Sequence, residues 1–154
     1  MSKLDDRLAE LGISIPAVAA PVASYVPAVI SGNLVYTSGQ LPFVNGVLPA
    51  TGKVGAEVDA DAAAGLARFC VLNGLAAAHS VIGSLDRITR VVKVVGFVAS
   101  DPSFTGQPAV INGASNLLGE IFGGYAGSHA RSAVGVAVLP LDSPVEVEFV
   151  FEFA

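Results

Sequence analysis

The clearest regularity in the chain lies near its C-terminal end. Val145, Val147, Phe149, Phe151 and Phe153 alternate with Glu146, Glu148, Val150 and Glu152. A two-residue period of this kind predicts a strand with one apolar and one polar face. Ser132 to Leu139 reads as another strand, with Val134, Val136 and Val138 on one side and Ala133, Gly135 and Ala137 on the other. Small residues on one face leave room for something to come close. The Val-rich run Arg87 to Ala99 is a third, ended by Asp101-Pro102. Leu34 to Ser38 is a further β-prone run, preceded by a Gly32-Asn33 turn, and Asn45-Gly46 is a hairpin signal. Another loop follows around Thr51-Gly52.

Two longer segments read as helices. The first runs from a cap at Asp59 to Ile82, with Asp61 in its first turn and Gly83 as its stop. Leu66, Phe69, Cys70, Leu72 and Leu75 spread around it, so burial on more than one side is expected. The second runs from Pro108 to Phe122, with Val110, Ile111, Leu117, Leu118 and Ile121 as its core face and Gly123-Gly124 as its stop. Met1 to Leu11 has the pattern of a short amphipathic helix, with Leu4, Leu8 and Leu11 on one face. The Pro/Ala segment Ile15 to Ala28 reads as an extended lead-in strand. The expected order is ββ(β)αβαββ, an α+β domain over residues 1–154 with residues 1–14 as a helical extension. Two helices cover one face of a mixed sheet. The other face is also apolar and has to be covered, so a homo-oligomer with facing sheets is expected.

Composition sharpens this picture. Of the 154 residues, 53% are hydrophobic and 14% charged, against about 25% charged in an average domain. Disorder is excluded, and the surplus apolar surface points to a partner subunit. Eight basic residues and a net charge of −5 argue against a nucleic-acid partner. A single cysteine, Cys70, excludes an internal disulfide. The apolar stretch Ile13 to Ile30 is broken by Pro16, Pro21 and Pro27 and does not read as a membrane span. With no export signal in the first residues, the expected location is the cytoplasm. His79 and His129 lack metal-ligand spacing to each other or to Cys70, so no metal site is expected. Ser38 or Ser132 with a histidine could suggest a triad, but no nucleophile-elbow motif is present. Gly123 to Gly127 lacks the Lys-Ser/Thr pair of a phosphate loop and reads as a connector or lid.

Three stretches stand out together: Ser38-Gly39-Gln40-Leu41-Pro42, then His129-Ala130-Arg131-Ser132-Ala133-Val134, then Leu139-Pro140 followed by Val145-Glu146-Val147-Glu148. Over roughly Ser24 to Phe153 this arrangement resembles the reactive-intermediate deaminase family, also written YjgF/RidA/UK114. The leading helix and the Gly-rich segment resemble its longer subgroup labelled endoribonuclease L-PSP. The resemblance implies a chorismate-mutase-like fold, a homotrimeric barrel with ligand clefts between subunits, and cofactor-free hydrolysis of 2-imino or enamine acids to 2-keto acids and ammonia. It implies that Arg131 holds the substrate carboxylate and that Glu146 positions the attacking water. Tyr25, Gly39 and Asn112 match further site positions. Ala133 stands where many members carry a cysteine whose main chain contacts the ligand.

The residue chemistry agrees with these roles. A guanidinium offers paired donors to a carboxylate and stays charged. Imines are already electrophilic, so orientation, a placed water and a proton shuttle suffice. A carboxylate among Val and Phe neighbours is expected to have a raised pKa. Structural alternatives stand beside each role. Arg131 could pair with Glu146 or Glu148 across strands, and Glu146 could be a solvated strand residue. Tyr25 could be packing, Asn112 helix decoration and Cys70 a core residue. Three functions compete: an imine hydrolase, a non-catalytic trimer that binds a small carboxylate, and a ribonuclease. The acidic charge and lack of paired histidines weigh against the last.

Overall fold

The alternating C-terminal run forms the strand Val145–Phe153 and takes the centre of the sheet. A computed structural model describes residues 2–21 and 23–154. Met1, in the expected first helix, and Val22, in the expected lead-in strand, lie outside the described residues. In chain order the elements are α1 (Lys3–Glu10), β1 (Ala28–Ser31), β2 (Leu34–Thr37), α2 (Ala60–Ile82), β3 (Ile88–Ala99), α3 (Gln107–Phe122), α4 (Gly124–Gly127), β4 (Ala130–Val136) and β5 (Val145–Phe153). The strands form one mixed sheet in the order β1-β2-β5-β3-β4, with β3 and β4 parallel and the other neighbours antiparallel. This is the expected α+β class.

One face of the sheet carries α2 and α3. Val145, Val147, Phe149 and Phe151 point into it and are fully buried, with the Phe149 and Phe151 rings stacked 5.6 Å apart. Each such side chain contributes about 1.5–3 kcal/mol of burial free energy. Asp59 caps α2 by accepting the Ala62 N–H at 2.8 Å, and Gly83 ends it. By length and composition α2 could cross a membrane, but here it is the central core helix, with Ala63, Ala67, Cys70, Val71 and Leu75 inaccessible. The helices approach closely at Gly113, where a Cβ would lie 2.0 Å from the Ala64 carbonyl oxygen.

Four expectations need correction. Among the described residues the segment before β1 lies outside the sheet, which begins at Ala28, past Pro16, Pro21 and Pro27; prolines lack the N–H a ladder needs. Among the described residues no third strand follows β2 before α2. The Asn45-Gly46 turn closes a single bridge between Val44 and Val47. β4 stops at Val136, short of Leu139, where the Ser100 N–H takes the Val136 carbonyl at 3.0 Å. Finally, Gly123 to Gly127 is not an open connector. It holds the helical turn α4, which lies against Leu118 and Gly119 of α3 and sets Tyr125 under the Arg90 guanidinium at 4.4 Å.

The helix crossing yields a test. Gly113→Ala must push the Ala64 backbone away and is expected to lower stability by about 1–3 kcal/mol or more. Gly119→Ala, on the same helix with nothing within 4 Å, is expected to raise it by about 0.5–1 kcal/mol. Urea unfolding of both variants at one protein concentration checks this, and equal effects would refute the crossing geometry.

Candidate active site

The first half of the site is built on β5. Its alternation sends Glu146, Glu148 and Glu152 to the face without helices. Beside Glu146 runs Ser38 to Pro42, which is fixed in several ways. Gln40 exchanges two backbone hydrogen bonds with Val147, at 2.8 and 3.0 Å. The Ser38 hydroxyl donates to the Val26 carbonyl at 2.6 Å. Asn73, the one buried amide of α2 among the described residues, donates to the carbonyls of Leu41 and Phe43 at 3.0 and 3.1 Å. Gly39 is thereby pressed against the Glu146 carboxyl: a Cβ there would sit 2.7 Å from Cδ and 2.8 Å from Oε2. Its missing side chain is the space the carboxyl occupies.

Tyr25, Gly39, Leu41, Phe43, Leu141 and Glu146 line one pocket of about 80 Å³. Leu141 and Asp142 are both left-handed, at φ 59° and 57°. Bulky residues rarely adopt this, and each costs about 1–3 kcal/mol. The Lys53–Asp142 ion pair and a bond from the Gly52 N–H to the Asp142 carbonyl at 2.9 Å hold them there. Burial, and after it the neighbouring Glu148 charge, raises the Glu146 carboxyl above its ordinary value. Burial also pushes the Cys70 thiol up, so this cysteine stays protonated inside α2.

The second half is built on β4. Arg131 shares a row with Val94 and Phe149, so it faces the helices. Its Nη1 donates to Asn112 Oδ1 at 2.8 Å and to Ser115 Oγ at 3.2 Å, and its Nη2 lies 3.4 Å from the Pro108 carbonyl. Asn112 and Ser115 are one turn apart on α3, so both reach the same guanidinium. Nε–H has no partner among the described residues. With the adjacent Nη2–H it forms a parallel pair of donors, the geometry that accepts a carboxylate fork. Ala133 follows on the same strand face and packs against the core.

The structure therefore brings the sequence-nominated residues together in two groups. Tyr25, Gly39 and Glu146 form one, and Arg131, Asn112 and Ala133 the other. Glu146 shares a row with Phe97 and Val134, three β3 positions from the Arg131 row and on the opposite face. Strand spacing puts the two Cα atoms roughly 14 Å apart. Arg131 consequently does not pair with Glu146 or Glu148 across strands. Sequence reasoning missed Asn73, Ser115 and Leu141. A lone amide in an apolar helix was the available signal for Asn73, and i,i+3 spacing from Asn112 for Ser115. A larger groove of about 930 Å³ lies between α1 and the end of α3, lined by Arg7, Glu10, Asp86, Glu120 and Phe122 among others. It contains none of the nominated residues; within it Arg7 pairs with Glu10 and donates to the Glu120 carbonyl, and Asp86 accepts the Leu4 N–H.

Comparison with known proteins places these groups in context. Residues 5–154 match the family described as "YjgF/chorismate mutase-like, putative endoribonuclease". The chain is 46% identical to Protein TCP17 of Trypanosoma cruzi over 148 residues, 95% of this chain and 91% of that one. Among crystal structures, Atu1372 from Agrobacterium tumefaciens, of unknown function, aligns with a TM-score of 0.90 and 46% identity, covering 98% and 92% of the two chains. TdcF from E. coli, with bound serine, aligns with a TM-score of 0.64 and 25% identity, covering 92% and 96%.

The fit of Glu146 against Gly39 can be tested directly. Gly39→Ala is expected to fold, because the clashing atoms end a flexible side chain. It should turn the carboxyl out toward water, so its pKa falls back toward the ordinary 4.5. A ¹³C-detected carboxyl titration of wild type and variant reads this. Identical titrations in the two would show that Gly39 does not make room for the group.

Proposed function

The chain belongs to the YjgF/chorismate-mutase-like family, and from that premise we propose that it hydrolyses reactive 2-imino and enamine acids to 2-keto acids and ammonia. The reaction needs no cofactor and takes place in clefts between copies of the chain, most simply a homotrimer. The observation that carries this reading is the division of the site. A free guanidinium fork stands on one sheet face and a carboxylate of raised pKa in an apolar pocket on the other, too far apart to share one small substrate. Arg131 of one copy would meet Glu146 of the next. The helix-free face supports such an assembly, since Val29, Tyr36 and Val134 are 51%, 43% and 44% exposed on it. Serine bound to TdcF supports a small carboxylate as ligand.

In this mechanism the substrate carboxylate docks on the Nε–H and Nη2–H donors of Arg131, which Asn112 steadies. The main chain at Ala133 lies beside it, and Tyr25 and Gly39 wall the reacting end. Glu146 takes a proton from water as the oxygen attacks the imine carbon and passes it to the imine nitrogen, giving a tetrahedral amino alcohol. The same carboxylate then takes the hydroxyl proton and delivers it to nitrogen, so the C–N bond breaks and ammonia leaves as the C=O forms. A raised pKa suits a group that must both accept and donate. The ribonuclease reading has less support: eight basic residues against thirteen acidic ones leave little to hold a phosphate backbone.

Freshly generated 2-iminopropanoate is the first substrate to assay. Arg131→Ala and Glu146→Gln are each expected to lower kcat/KM by about 100-fold or more. Mixing the two inactive variants under subunit exchange should restore activity, to roughly a quarter of wild type for random assembly. No recovery in demonstrably mixed oligomers would place both groups in one chain's site. Carboxylate binding without turnover would favour the binding module instead. As base, Glu146 must be ionised, so activity falls as pH drops through its raised pKa. Glu148→Gln removes one cause of the rise and is expected to move that acidic limb to lower pH.

A further inference from the structure

We infer that Ser115 and His129 are positioning residues for Arg131, aiming its guanidinium through a hydrogen-bonded relay anchored on the Gly127 carbonyl. The inference rests on the proposed role of Arg131 and adds the residues that set its orientation.

The hydrogen positions follow from the partners. His129 Nδ1 lies 2.8 Å from the Gly127 carbonyl oxygen, which can only accept, so Nδ1 carries a hydrogen. In the neutral ring Nε2 is then an acceptor. Ser115 Oγ lies 2.9 Å from it. Because Ser115 Oγ already accepts from Arg131 Nη1 at 3.2 Å, its own hydrogen is free to go to His129. Each donor thus has one acceptor in line from Arg131 through Ser115 and His129 to Gly127, and the serine oxygen faces the guanidinium. The arrangement has the spacing of a serine–histidine nucleophile pair. However, the serine oxygen is directed at Arg131, a placement that serves orientation rather than attack.

The anchor is solid. Gly127 is buried, and α4 packs so closely that a Cβ on Gly127 would lie 3.1 Å from both Gly119 Cα and the Leu118 carbonyl oxygen. The Gly-rich segment therefore holds the end of the relay against α3, the helix that also carries Asn112 and Ser115. Asn112 and Ser115 together occupy both Nη1 hydrogens and fix the guanidinium plane. With one Nη2 hydrogen on the Pro108 carbonyl, that leaves Nε–H and the other Nη2–H for a carboxylate. An arginine side chain held this way before binding loses less rotamer freedom when the ligand arrives.

The test measures carboxylate affinity and turnover side by side, with pyruvate as calorimetric probe and 2-iminopropanoate as substrate. Ser115→Ala and His129→Ala are expected to raise the pyruvate Kd and the substrate KM about three- to tenfold, the net effect of one ordinary hydrogen bond, with kcat within about twofold of wild type. His129→Gln, whose carboxamide oxygen can stand in for Nε2, should recover most of the loss. In a Ser115→Ala background, His129→Ala should add nothing, since it acts only through the hydroxyl. Circular dichroism confirms folding. If His129→Ala fails to fold, Ser115→Ala decides. Wild-type affinity in folded alanine variants, or a loss confined to kcat, would overturn the relay while leaving the hydrolase reading intact. Pyruvate binding through Arg131 without turnover would end the hydrolase reading and still test the relay through Kd. A wild type that neither binds nor turns over would remove the role of Arg131, and the relay with it.

Discussion

β5 is paired on both sides, to β2 and to β3, so its register has little freedom. A slip of one residue would turn Phe149 and Phe151 out of the core and drive three glutamates under α2 and α3. Burying unpaired carboxylates there would cost several kcal/mol each, on top of the lost apolar burial. That penalty keeps Glu146 on the helix-free face. The same sheet fixes Arg131, because β4 is parallel to β3 and its row at Val94 faces the helices. The opposition of the two charged groups is thus a by-product of core packing, and any chemistry that uses both has to bridge two faces.

The parts of this legible in the sequence were those with a local period or a local cap. The β5 alternation, the Asp59 cap and the apolar stripe from Val110 to Ile121 each carry their signal within a few residues. Glu146 and Gly39 could be nominated from motif resemblance, and the structure sets them in contact. What stayed hidden depends on partners distant in sequence. Whether Arg131 meets Glu148 or Asn112 turns on which face β4 presents, and the pattern of Val134 and Ala133 does not decide that. Asn73 looks like an anomaly in an apolar helix until Leu41 and Phe43 bring their carbonyls to it. The end of β4 and the folding of Gly123 to Gly127 into α4 are tertiary outcomes too: turn-forming residues mark a break, but only packing against α3 makes that break a helical turn.

The low charge content and the divided site have a common physical explanation in the proposed assembly. A chain with 14% charged residues leaves Val29, Tyr36 and Val134 on its open face, in rows that also hold Glu146 or lie near it. Covering that face with a second copy removes apolar surface from water, and in the same step dries the surroundings of the carboxylate. Drying strengthens the burial that already raises the Glu146 pKa within one chain. It would also bring a guanidinium toward the pocket, which pulls the other way once no substrate carboxylate neutralises it. In that assembly the balance between the two would set the proton affinity of Glu146, and would change with a substrate carboxylate on Arg131. Substrate binding would then switch the carboxyl toward its proton-accepting role's upper range at the moment the imine is in place, so assembly, ligand charge and proton transfer are linked through a single side chain.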